Sequence, residues 1–169
     1  MHIPSCRRNL DITCLMLNNE VYGMTGGQVS PTTAENRLTT TTPSGNSEPA
    51  FDACKLAEAA GAGLVGREVT MQTPALRNLI KAGLEFDGFS FLEVMSDCTE
   101  IYGRKNDLGE SAEMIMAQKS DMRPQAYTTI TDQPFRPNRL VTGVLAQSDR
   151  PEYGATYRRQ AAALRGETA

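Results

Sequence analysis

Asn18 and Asn19 close the apolar run "ITCLML", and Gly23, Thr25, Gly26, Gly27 and Gln28 follow at once. An ordinary turn needs one or two residues of unusual backbone freedom, so three glycines in five residues exceed what a reversal demands. Asparagine amides and backbone carbonyls are hard oxygen donors of the kind Mg²⁺ takes. Glycines let backbone N–H groups approach phosphate oxygens, and Thr25 adds a hydroxyl. A strand that opens into such a tract suits a phosphate or metal–phosphate cradle, because ligands of open α/β sheets lie at the carboxyl ends of strands. A glycine-rich surface turn beginning at asparagine accounts for the same composition. The tract is neither a Walker A sequence nor GxGxxG.

Other chemistries have little material. The one histidine, His2, sits at the chain end, which leaves a histidine triad or a histidine zinc site without residues. The four cysteines, Cys6, Cys14, Cys54 and Cys98, stand singly with no CxxC. A net charge of −3 excludes the basic footprint of a nucleic-acid binder. No apolar run approaches the roughly 20 residues that span a bilayer. The N-terminus lacks the long apolar stretch of a secretory signal, so the expected compartment is the cytoplasm, where disulfides are not expected.

The elements that must position the tract are legible from their periodicity. With 169 residues, 40% hydrophobic, the chain can bury one domain's core. Residues 10–17 read as a strand covered on both faces. Ser30 to Pro49, rich in Thr, Ser and Pro, reads as a long loop over a site. "AFDACKLAEAAGAG" predicts a short helix with Asp52 in its first turn, ending at glycine, and "GLVGREV" a strand. "TPALRNLIKAGLEFDG" predicts a helix capped by Thr73, with Leu76, Leu79, Ile80 and Leu84 on one face. "FSFLEVMSDC" predicts another strand, and a helix over 111–119 follows. The alternation implies an α/β domain with a mainly parallel sheet over residues 1–121. Residues 122–169 read as a proline-rich arm with one strand, "RLVTGVLAQ", and a last helix from Arg150.

"RRNLDITCLMLNNEVYGMTGGQVSPTT" closely resembles the β subunit of 2-oxoacid:ferredoxin oxidoreductases, especially the 2-oxoglutarate (KorB-like) branch. The resemblance continues through "FDACKLAEAAGAGLVGR", "KAGLEFDGFSFLEVMSDCTEIYGRKN" and "RPEY", nearly the whole chain in order. It implies a thiamine-diphosphate-binding fold, with Mg²⁺ between protein and diphosphate and an α subunit completing the active site. It implies oxidative decarboxylation of 2-oxoglutarate to succinyl-CoA, with coenzyme A as acyl acceptor and electrons passed to ferredoxin. Asn19 then matches the side-chain ligand of Mg²⁺, and Val21 the residue that gives it a backbone carbonyl. Gly23, Met24 and Thr25 match the segment around the thiazolium and diphosphate. Gly26 matches a position linked to substrate preference. Cys98 matches the last ligand of a [4Fe–4S] cluster, which takes four thiolates. The other three cysteines read as small buried hydrophobes.

The resemblance also implies pieces that this sequence does not contain. The family's Gly-Asp-Gly carboxylate and its remaining cluster cysteines belong upstream of "RRN", and the sequence has no Gly-Asp-Gly. The chain therefore reads as the C-terminal part of such a subunit, N-terminally truncated, with Pro4 disturbing what remains of the first helix. Taken alone, it is expected to be inactive, poorly stable and apolar along an uncovered sheet edge. Two other readings stay open: a β subunit acting on pyruvate or another 2-oxoacid, and a non-catalytic remnant that binds a partner.

Overall fold

A computed structural model describes residues 3–124 and 140–166. Helix α1 (Ile3–Arg8) leads into strand β1 (Ile12–Asn18), then two short strands, β2 (Val21–Tyr22) and β3 (Gln28–Val29), flank the glycine tract. After the long loop come α2 (Ala53–Ala59), β4 (Leu64–Val69), α3 (Thr73–Glu85) and β5 (Phe89–Met95). A π-helical turn (Thr99–Gly103), α4 (Ser111–Asp121), β6 (Met122–Pro124), β7 (Leu140–Gln147) and α5 (Tyr153–Leu164) complete the described residues. Residues 125–139 of the expected proline-rich arm lie outside them. Among the described residues, no helix is long and apolar enough to cross a membrane.

Five strands form one sheet in the order β1-β5-β4-β7-β6. β1, β5 and β4 run parallel, as the alternation of elements predicts, and β7 joins antiparallel to β4. Every residue of β4 and β5 is buried. α1 and α2 cover one face, where Cys6, Cys54 and Ala57 meet Val65, Phe89, Phe91 and Leu145. α3 covers the other, where Leu79 packs with Leu64 and Leu92. The approach of α3 is close, since a Cβ on Gly83 would lie 2.7 Å from Leu92 Cδ1. The Gly83 carbonyl accepts from the hydroxyls of Thr13 (2.8 Å) and Ser90 (3.0 Å).

Several local expectations change. β1 is an edge strand among the described residues rather than one covered on both faces. Ile12 is exposed at the start of the strand, and Leu15 and Leu17, on the α3 face, are exposed as well, Leu17 by 76%, because α3 crosses further along the sheet over β4 and β5. Leu84, expected on the buried stripe of α3, is 68% exposed for the same reason. Thr73 is the first residue of α3 rather than its cap; Gln72 holds the cap position and makes no side-chain cap bond. Asp52 is the N-cap of α2, accepting from Lys55 N–H at 3.2 Å. Pro4 sits in the first turn of α1, where a missing N–H costs no helical bond.

A buried charge network crosses the centre of the sheet. Arg67 in β4 stands directly opposite Glu93 in β5. Its Nε donates to Glu93 Oε2 at 2.6 Å and its Nη2 to Asp52 Oδ1 at 2.7 Å, with all three side chains at most 3% exposed. Asp52, Cys54 and Glu93 are the one His/Cys/Asp/Glu group of metal-binding size among the described residues, and the Arg67 guanidinium pairs with both its carboxylates. Burial opposes the charge on Arg67, but Cys54, Glu93 and Asp52 outweigh it and hold the guanidinium ionised beyond its ordinary range. Burial pushes the Cys54 thiol well above its ordinary 9.0; Arg67 works against this, and Glu93 and Asp52 reinforce it.

Replacing Arg67 with Met leaves two buried carboxylates unpaired and is expected to cost about 3–5 kcal/mol, read from urea unfolding. A thiol whose folded pKa is raised contributes stability below its unfolded pKa and loses it as pH climbs past that value. Unfolding stability should therefore decline from about pH 9 upward. Cys54→Ala should flatten that decline when urea midpoints are compared between pH 8 and 10.

Candidate cofactor site at the end of β1

β1 leaves the sheet at Asn18, which is itself buried. The Asn18 amide donates to Glu93 Oε1 at 2.6 Å, which ties the strand end to the charge network. Its Oδ1 accepts from the Thr32 hydroxyl (2.8 Å) and from the Glu20 backbone N–H (3.0 Å). Both donor and acceptor of Asn18 are thus spent on structure. Asn19 is different: it is half-buried, and its side chain has no hydrogen-bond partner among the described residues.

Glu20 then reverses the chain in the left-handed conformation, with φ of 63°. Val21 follows, buried, and Gly23 closes the group. A Cβ on Gly23 would lie 3.2 Å from Cys98 Sγ, 3.8 Å from Asn19 Nδ2 and 3.9 Å from Val21 Cγ1. Three of the residues singled out from sequence, Asn19, Val21 and Cys98, therefore meet around a fourth, Gly23.

The rest of the tract is spent differently. The N–H groups of Gly26 and Gly27 donate within the turn, to Gly23 (3.2 Å) and Tyr22 (2.9 Å) carbonyls. Thr25 Oγ1 donates to Gln28 Oε1 at 2.6 Å, and Gln28 Nε2 returns a bond to the Thr25 carbonyl at 2.8 Å. These bonds close the reversal rather than face a ligand. Met24 at its tip is fully exposed. Gly27 has a structural reason of its own: at φ of 82°, a Cβ there would overlap the Ile101 Cγ2 methyl.

The Thr-rich loop over 30–49 does lie over this turn, without helix or strand. Thr33 Oγ1 donates to the Glu20 carbonyl at 2.6 Å, and Thr40 N–H to the Gly27 carbonyl at 2.8 Å. Asn46 Nδ2 holds the loop to itself through the carbonyls of Thr33 (3.0 Å) and Glu48 (2.9 Å). Asn106 clamps its far end, giving an amide hydrogen to Leu38 O (2.9 Å) and accepting Leu38 N–H (2.8 Å). Tyr102, buried in the π turn just after Cys98, donates its hydroxyl to Glu20 Oε2 at 3.0 Å. Burial first, and then the Glu20 carboxylate, push the Tyr102 phenol up.

Glu20, Tyr102, Asn106 and the Asn18–Glu93 contact escaped the sequence reading. One signal was available: Arg67, beside Glu68 in β4, and Glu93, the one charge in β5, are opposite charges inside two largely apolar strands. Asn106 and Tyr102 act through contacts distant in sequence, which no local pattern announces.

Beside the turn runs a groove of about 330 Å³ between α1, α2 and β1. Its walls are apolar, with Ile3, Met16, Leu56 and Phe91, and Asn18 and Asn19 stand at its polar end. Apolar walls with a few convergent polar groups are the usual make-up of a small-molecule site.

The donor set suits a hard cation in part. Asn19 offers a neutral amide oxygen on an unpartnered side chain, and oxygen is what Mg²⁺ takes, but an octahedral shell needs more ligands than this turn holds. The thiolates do not suit a cluster on their own. Cys98 lies at the site, whereas Cys6 and Cys54 are buried in the core under α1 and α2, with Cys14 packed against them. One thiolate faces a requirement of four.

The thiamine pyrophosphate enzyme C-terminal TPP-binding domain matches residues 3–94, more than half of the chain. The chain belongs to this family. As a thiamine pyrophosphate enzyme domain it has informative relatives. It is 40% identical over 151 residues to the 2-oxoglutarate synthase subunit KorB of Methanocaldococcus jannaschii, covering 89% of this chain and 56% of that one. It is 35% identical over 96 residues to the 2-oxoglutarate oxidoreductase subunit KorB of Mycobacterium tuberculosis, covering 57% and 26%. A solved 2-oxoglutarate:ferredoxin oxidoreductase from Magnetococcus marinus superposes with a TM-score of 0.80, at 21% identity, over 99% of this chain and 58% of that one. At that identity the likeness bears on the fold, which is the thiamine-binding α/β fold expected from the motifs. The chain spans about half the length of the curated KorB relatives it matches.

Gly27→Ala should force both a strained φ and an overlap with Ile101, at about 1–3 kcal/mol of unfolding free energy. Urea denaturation of the variant checks it.

Proposed function

We propose that this chain is the thiamine-diphosphate-binding part of the β subunit of a 2-oxoglutarate:ferredoxin oxidoreductase. That enzyme would convert 2-oxoglutarate and coenzyme A to succinyl-CoA and pass electrons to ferredoxin, with an α subunit as partner. The observation that carries the reading is the convergence of Asn19, Val21 and Gly23, inside the matched thiamine pyrophosphate domain, with Cys98 just beyond its last matched residue, at the carboxyl end of β1. The relatives named 2-oxoglutarate synthase support the substrate.

In this reading the Asn19 amide oxygen and the Val21 carbonyl hold Mg²⁺. The unpartnered Asn19 side chain is available for that without breaking any bond of the turn. Gly23 lets the backbone approach the diphosphate, since any side chain there would press on Cys98. Met24 and Thr25 form the rim around the thiazolium, where the exposed thioether of Met24 gives an apolar support. Gly26 shapes the tip, its N–H already used, so its influence on substrate choice acts through the space a missing side chain leaves. When bound, thiamine diphosphate supplies the nucleophilic carbon and the electron sink for decarboxylation. Cys98 gives one thiolate to a [4Fe–4S] cluster whose other ligands come from outside the described residues.

Because both proposed metal ligands, the Asn19 amide and the Val21 carbonyl, are neutral and the Glu20 carboxylate is engaged by Tyr102, binding by this chain alone should be weak and should need both metal and diphosphate. Titration calorimetry with thiamine diphosphate at millimolar Mg²⁺ should show saturable binding that disappears with EDTA. Asn19→Ala should weaken it by at least about tenfold. Binding that is indifferent to Mg²⁺ and to Asn19→Ala would remove the metal–diphosphate reading and favour a partner-binding role for the chain.

A further inference from the structure

Glu20 is a non-glycine residue held in the left-handed region, φ 63°, in the middle of the turn that presents Asn19 and Val21. Such a conformation is unfavourable for a residue with a Cβ and persists where the surroundings over-determine it. Here each of its polar parts is engaged. The N–H donates to Asn18 Oδ1, the carbonyl accepts from Thr33 Oγ1, and the carboxylate accepts from the Tyr102 hydroxyl. The first two partners come from neighbouring chain. The third comes from across the site, from a residue 82 positions away.

Tyr102 is well placed to hold rather than to be held. Its ring is buried with Val21 and Met114, and its carbonyl accepts from the Asn106 side chain at 2.9 Å. Asn106 in turn grips Leu38 of the overlying loop. The π turn carrying Tyr102 begins directly after Cys98, whose sulfur touches the position where a Gly23 side chain would be. The Tyr102 hydroxyl thus joins the Cys98 segment to the Asn19–Val21 segment across the point where they converge.

We propose that Tyr102 is a positioning residue for the cofactor site. Its hydroxyl, acting through the Glu20 carboxylate, locks the left-handed reversal that aims the Asn19 amide and the Val21 backbone at one cation. The inference rests on the metal–diphosphate reading of the turn. It also explains why an acidic residue beside a diphosphate site is tolerated: its carboxylate is committed to the phenol.

Glycine adopts the left-handed conformation without penalty. Glu20→Gly should therefore make the turn independent of Tyr102. This gives a test that a merely structural tyrosine would not satisfy. Mn²⁺ in place of Mg²⁺, in the presence of thiamine diphosphate, is titrated on the full chain and free Mn²⁺ is read by electron paramagnetic resonance. Tyr102→Phe should weaken Mn²⁺ binding about tenfold, the loss expected when one charge-assisted hydrogen bond goes. Glu20→Gly should bind within about twofold of the wild type, and so should the Glu20→Gly/Tyr102→Phe double variant. An equal loss from Tyr102→Phe in both backgrounds, or no loss in either, overturns the clamp while leaving the cofactor reading intact. A wild-type chain that binds no Mn²⁺ with thiamine diphosphate overturns the cofactor reading and the clamp with it. If Tyr102→Phe does not fold, Glu20→Gly alone decides: binding weakened tenfold or more contradicts a lock that glycine makes unnecessary.

Discussion

One guanidinium organises this molecule. Arg67 reaches from β4 to Glu93 on the next strand and to Asp52 at the start of α2, and Asp52 caps that helix. Glu93 passes the connection to Asn18, and Asn18 passes it to Thr32 of the long loop. Two strands, the end of a third, a helix terminus and a loop are thus tied by consecutive polar contacts inside the core. Buried ion pairs seldom add net stability over an apolar packing of the same volume, because desolvation offsets their attraction. What the network supplies is geometry. A one-residue slip of β4 against β5 would turn Arg67 to the α3 face and leave Glu93 and Asp52 without a counter-ion, so the register is held by a penalty as well as by apolar contacts.

The candidate site inherits that rigidity. Asn18 can be the fixed foot of the turn because both ends of its amide are spent, and Asn19 can be a donor because its side chain is not. The overlying loop has no regular structure yet is dense in Thr and Asn side chains that replace ladder bonds, with Thr32, Thr33, Thr39 and Asn46 all buried. A loop built this way holds a shape without being a helix or strand. The left-handed Glu20 is tolerated within it for the same reason: the surrounding bonds leave the chain no cheaper path.

Much of this was legible in the sequence. The alternation of helices and strands gave the parallel core of β1, β5 and β4, and the Asn-Asn-Glu-Val-Tyr-Gly tract pointed to the place where Asn19, Val21, Gly23 and Cys98 meet. Errors arose where a property depends on what lies alongside. The apolar run of β1 reads like a strand covered on both faces, but Leu15 and Leu17 are left bare by the position of α3. Leu84 follows the helical period and still faces outward, since burial of that stripe ends where the sheet does. The N–H groups of Gly26 and Gly27 looked free to cradle a phosphate, yet the turn uses them to close itself. Tyr102 and Asn106 could not be read at all, because their partners Glu20 and Leu38 are distant in the chain.

In the proposed function, the Asn19–Gly23 turn and the Cys98 segment facing it form one face of a Mg²⁺–thiamine diphosphate site. Amide hydrogen exchange of the full chain, with and without thiamine diphosphate and Mg²⁺ together, tests it most directly. Added protection is expected over residues 18–27 and 96–103, with β4 and α5 unchanged. Protection elsewhere, or none over those two segments at ligand concentrations that saturate binding, would contradict it.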